Sequence, residues 1–86
     1  MIFKIGKDVF IESSTVAMVT DYSKKSVIAK IKELKAEKKV LDITSGRKIL
    51  GVVFLKNGEV IITDTSFRTI IKKLNAKENM DEEEQI

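Results

Sequence analysis

The sequence predicts a small α+β domain of short antiparallel strands with two helices, in the order βββ-α-βββ-α. Three observations predict it. Short β-prone runs broken by turn residues open the chain. A helix-period run then appears at Val27, Ile28, Ile31 and Leu34. Strand-like runs return on both sides of Asn57-Gly58, and a second helix-period run follows at Phe67, Ile70, Ile71 and Leu74.

Each element has its own warrant. "MIFKI" and "DVFIE" flank Gly6-Lys7, where glycine allows a tight turn. "TVAMVTD" reads as the third strand. Its unbroken apolar run, Val16 to Val19, suits a strand covered on both sides, the second cover being a neighbouring subunit. The first helix is expected from residue 24 to 38, with Ser23 as N-cap and Lys35, Lys38 and Lys39 at the negative end of its dipole. Its outer face carries Lys25, Lys32, Lys35 and Lys39. "VLDIT" is the fourth strand, "SGRK" a turn, "ILGVVFLK" the fifth strand and "EVIITD" the sixth. The second helix begins at Thr65 or Ser66, capped by Asp64 or Thr65. Both helices are expected on one face of the strands. The domain spans residues 1–76, and the acidic residues 77–86 read as a disordered tail.

Composition excludes several functions. The 86 residues include no Cys, His, Trp or Pro. A disulfide frame, a thiol nucleophile and an Fe–S cluster are excluded, and a structural zinc site is not expected. The usual acid–base residue near neutral pH is also missing. No apolar run approaches the length of a bilayer span, and the opening residues lack the apolar core of a signal peptide. A cytoplasmic protein with no cofactor is expected. Gly46 and Gly51 bracket "RKIL", but a Walker loop needs Gly-Lys-Ser/Thr opening a helix, and here a strand follows. Asp42 reads as a turn former and Asp64 as a helix cap, so no enzyme is expected.

Charge is unevenly placed. The net charge is +3, yet Lys24 to Lys48 holds nine bases against three acids, and the tail is acidic. A basic body suggests a polyanion partner. Arg47 and Lys48 stand on a tight turn that cannot bury two charges.

The stretch "KSVIAKIKELKAEKKVLDITSGRKILGVVFLKNGEVIITDTSFRTIIKKL" resembles the RemA/RemB family of bacterial extracellular-matrix regulators that control biofilm genes. The shared pattern is a lysine/glutamate-rich helix, a strand ending in "DAT" before "GRR", then an apolar strand, a hairpin and a last helix. Here "VLDITSGRK" takes the matching place, and "FKIGKDVFIESSTVAMVTDY" looks more like RemB. The resemblance covers about residues 1–74. It implies a DNA-binding transcriptional activator assembled into a ring, with the basic residues after the "DAT" strand on DNA. By position Gly46 and Arg47 match and Lys48 is a conservative replacement. Two further family arginines fall at Leu50 and near Thr15.

The expected function is therefore a non-enzymatic regulator that binds double-stranded DNA as a homo-oligomer. Arg47, Lys48, Lys25, Lys32 and Lys35 would contact phosphates, and the apolar third and fifth strands would supply the assembly surface. The rival expectation is an assembly module of the RemB type without nucleic-acid binding.

Overall fold

The computed structural model describes residues 1–75; the acidic tail at 77–86 lies outside them. Strands β1 (Ile2–Gly6) and β2 (Val9–Glu12) form an antiparallel hairpin. A 3-10 turn, Ser13–Thr15, leads into β3 (Val16–Thr20). Helix α1 (Lys25–Ala36), β4 (Val40–Asp42), β5 (Gly51–Leu55) and β6 (Val60–Thr63) follow, and helix α2 is described over 67–75. The element order is the one the sequence predicts. The last four strands form one sheet in the order β3-β5-β6-β4.

The central strands decide the layering. Val52, Val60 and Ile62 face Val27, Ile31 and Leu34 of α1. Val53 and Ile61, on the other side, face Phe3 and Ile5 of the hairpin and Ile70 of α2. The helices thus lie on opposite faces, against the expectation of one shared face. The runs "GVVFL" and "VIIT" leave no polar side for water, so both faces need a cover. Val52 and Val53 are fully buried. Strand β5 is therefore spent inside the domain and offers no assembly surface of its own.

Strand β3 is an edge. Its register against β5 slips between Val16 and Met18, which leaves Ala17 as an extra residue. This bulge accounts for the weak alternation in the sequence. Val16 and Val19 are three apart, yet both pack toward the hairpin side, while Met18 is 49% exposed. No second cover lies over β3 among the described residues.

Strand β4 pairs with β6 in parallel, against the all-antiparallel expectation. The reason is topological. The chain leaves β4 at one edge of the sheet, passes over the end of β6, and enters β5 beyond it.

The helix ends also differ in detail from the sequence reading. Lys24 is the N-cap of α1 and makes no side-chain cap bond; the Ser23 hydroxyl donates instead to Asp21 at 2.7 Å. The C-terminus closes with Lys39 N–H on Leu34 C=O at 2.9 Å and Lys38 N–H on Lys35 C=O at 3.0 Å. Lys38 takes the left-handed position of that motif, with φ of 59°. At the start of α2, the Ser66 hydroxyl accepts from Arg68 N–H at 3.2 Å, so Ser66 is the cap and not Asp64 or Thr65. In the first hairpin Gly6 belongs to β1, and Lys7 and Asp8 make the turn.

Candidate nucleic-acid interface

The segment 43–50 crosses the end of β6 and is pinned at both ends. Ile43 N–H donates to Ile62 C=O at 3.0 Å, and Leu50 N–H donates to Thr63 C=O at 2.9 Å. The Leu50 carbonyl in turn accepts from Phe67 N–H at 2.9 Å, which ties the crossing to the first turn of α2. Thr63 is itself fixed. Its buried hydroxyl donates to Ile5 C=O at 2.6 Å and accepts from Thr65 N–H at 3.1 Å.

Between the pins the chain makes a tight turn. Asp42 accepts from the Thr44 backbone N–H at 2.9 Å and from its hydroxyl at 2.7 Å. The turn-forming role expected of Asp42 is what its geometry gives. These hydrogen bonds, the hydroxyl first, hold the Asp42 carboxyl below its ordinary pKa against a small opposing effect of burial, and the charge of Lys35 adds to the lowering. Arg47 N–H then closes on Thr44 C=O at 3.1 Å. The two residues inside the turn, Ser45 and Gly46, have φ of 55° and 82°. Two successive left-handed residues make the turn of the I′ kind, and glycine fills the second place without strain.

The turn ends on the expected basic pair. Arg47 is 75% exposed along its side chain, and its Nη1 donates to Asp64 Oδ2 at 3.3 Å. Lys48 is exposed beside it. The partner of Arg47 is thus the carboxylate read from sequence as a helix cap. No sequence spacing signals that pair, because the crossing over β6 creates it.

The helix lysines reach this site unequally. Lys25, Lys32 and Lys35 are all exposed, and the helical repeat of about 3.6 residues sets them on one flank of α1. Lys35 is close enough to act on Asp42. The opposite flank is mixed in sign, with Lys30 paired to Glu33 at 3.6 Å. Two basic side chains outside the expected set, Arg68 and Lys72, are exposed on α2, on the other side of the sheet. Arg68 stacks over Phe67 at 5.3 Å.

The positions where family arginines fall do not converge. Leu50 is 42% exposed at the entry to β5. Thr15 sits by the other end of that strand, where its carbonyl accepts from Lys56 N–H at 2.9 Å. Among the described residues no cluster of acidic side chains could hold a metal ion, and no helix is long and apolar enough to cross a membrane.

Fold and site together define a small mixed α+β domain with a basic turn laid across one end of its sheet. The chain belongs to the RemA-like family, described as extracellular matrix regulatory protein A-like, which it matches over residues 2–74. That match takes in both sheets, the crossing turn and nearly all of the described α2. No curated protein matches the chain significantly.

Proposed function

We propose that this chain is a non-enzymatic regulator that binds double-stranded DNA through its phosphate backbone, acting as a homo-oligomer. The observation that carries this reading is the 43–50 crossing. It holds Arg47 and Lys48 outward on a turn fixed by backbone bonds. Each phosphate neutralised adds affinity through counterion release, independent of base sequence. Few bases per subunit means weak binding by one copy, so repetition of the turn in an assembly supplies the avidity. Apolar side chains left outside the core give an assembly its material. Ile2 is 66% exposed and Phe10 59% on the outer face of the β1–β2 hairpin, and Leu41 is 55% exposed on edge strand β4. The proposed location is the cytoplasm, where the DNA is.

Fluorescence anisotropy of a labelled duplex at several salt concentrations tests the reading, with light scattering on the same samples. Binding should fall steeply with salt and come from an oligomer. Arg47→Ala and Lys48→Ala should each weaken binding to all sequences and flatten the salt slope by about one unit. Unchanged slopes in both variants remove the turn from the mechanism.

A second reading has its own observation. Leu50 puts an exposed apolar side chain where relatives are expected to carry arginine, close to the basic pair. On that reading the surface is a protein-docking face and the chain an assembly module. A lack of duplex binding at low salt by an intact oligomer selects it.

A further inference from the structure

We infer that Asp64 is a built-in competitor for the anion that Arg47 would take, so that the turn holds part of its positive charge in reserve. The inference rests on the DNA-binding reading above and names the residue that sets its strength.

Two roles are open to a carboxylate beside a binding arginine. It can hold the guanidinium in place, or it can occupy the guanidinium at the expense of a ligand. The geometry favours the second. The contact is single, through Nη1 alone, and at 3.3 Å it is long for a charge-assisted bond, which ordinarily spans about 2.7–2.9 Å. Arg47 is 75% exposed, so the pair is screened and constrains the arginine little. The turn has no need of that constraint. Thr44, Ser45, Gly46 and Leu50 fix the backbone at Arg47 through bonds and φ values that do not involve Asp64.

Asp64, by contrast, stays where it is. Its side chain is only 22% exposed, and it follows directly on Thr63, whose hydroxyl is anchored on both sides. A phosphate approaching Arg47 and Lys48 therefore meets a half-buried negative charge beside two exposed positive ones. Asp42 is not the partner of Arg47: its Oδ1 accepts from the Thr44 backbone N–H and hydroxyl, and the guanidinium contact is made by Asp64.

The test compares wild type, Asp64→Asn, Arg47→Ala and the double variant in duplex anisotropy at low salt. Asparagine keeps the shape and one acceptor but removes the charge. Asp64→Asn should tighten binding about fivefold with Arg47 present and less than about twofold in the Arg47→Ala background. Weaker binding in Asp64→Asn overturns the inference in favour of a holding role. An equal gain in both backgrounds also overturns it, since the effect is then a general field and not competition at Arg47.

A second readout does not depend on DNA. The Arg47 Nε–H resonance, followed by NMR through a titration with inorganic tripolyphosphate, should respond at lower concentration in Asp64→Asn than in wild type. Identical titrations overturn the inference. Failure of wild type and Asp64→Asn to bind duplex, with a clear difference in the tripolyphosphate titration, instead overturns the DNA reading and leaves the competition standing.

Discussion

Two reversals flank β5, and they teach different things. At one end Leu55 and Glu59 close a local hairpin, with Leu55 N–H on Glu59 C=O at 2.9 Å and the Asn57 side chain accepting from Glu59 N–H at 2.9 Å. Apart from Lys56 N–H, which donates to Thr15 C=O at 2.9 Å, the bonds that shape that reversal lie within it, and Asn57-Gly58 announces it in the sequence. At the other end the chain arrives from β4 by crossing β6. That turn has a local part, Thr44 to Arg47, and a borrowed part: Thr63, Asp64, Thr65 and Phe67, supplied by a strand end and a helix start. A local turn can be read off its own residues. A crossing turn takes its charge environment from what it crosses.

The largest expected effect lies where the crossing enters β5. A Cβ on Gly51 would come to 2.4 Å from the Thr65 carbonyl, a backbone atom with no room to yield. Gly51→Ala should cost about 3 kcal/mol and lower the melting temperature by more than about 10 °C in a thermal scan. Next comes Thr63→Val, which removes the hydroxyl bonded to Ile5 and Thr65 and leaves a buried carbonyl unmet. The expected loss is about 2 kcal/mol in urea unfolding.

The local hairpin should be more forgiving. Gly58 has φ of 92° but open space around its Cα, so Gly58→Ala should cost only about 1 kcal/mol. A Gly58→Ala loss equal to that of Gly51→Ala would break the comparison. The smallest effect is in pH. The Asp42 carboxyl is depressed in the folded state, so its contribution is present above its ordinary pKa of 3.8 and fades as pH falls through the lower folded value. Asp42→Asn should remove that part of the acid loss of stability, seen as a shallower decline of melting temperature below about pH 4.

Much of the fold was legible because its signals are local. The apolar positions of α1 at Val27, Ile31 and Leu34 point inward as their spacing requires, and Asn57-Gly58 turns as its residues require. The layering was not legible as read, because a helix face shows only that it is buried and not which side of a sheet it buries against. The uninterrupted apolar runs of β5 and β6 were the available clue that both sides are covered. Gly6 illustrates another limit. It looked like a turn residue, but it lies in β1, against Ile43. Arg47, Lys48 and the flank of Lys25, Lys32 and Lys35 could be picked out by type and exposure. Asp64 could not be assigned to Arg47, since 17 residues separate them and only the crossing over β6 joins them.

The bulge at Ala17 matters to how copies of this chain could add to one another. Strand β3 is an open edge, and a flat open edge can be extended by one strand after another without limit. The slip between Val16 and Met18 puts the hydrogen-bonding groups on either side of Ala17 out of step. A strand laid along β3 could match one side of that slip but not both. The edge therefore carries an interruption of its own, one of the ways an exposed strand is kept from pairing without limit.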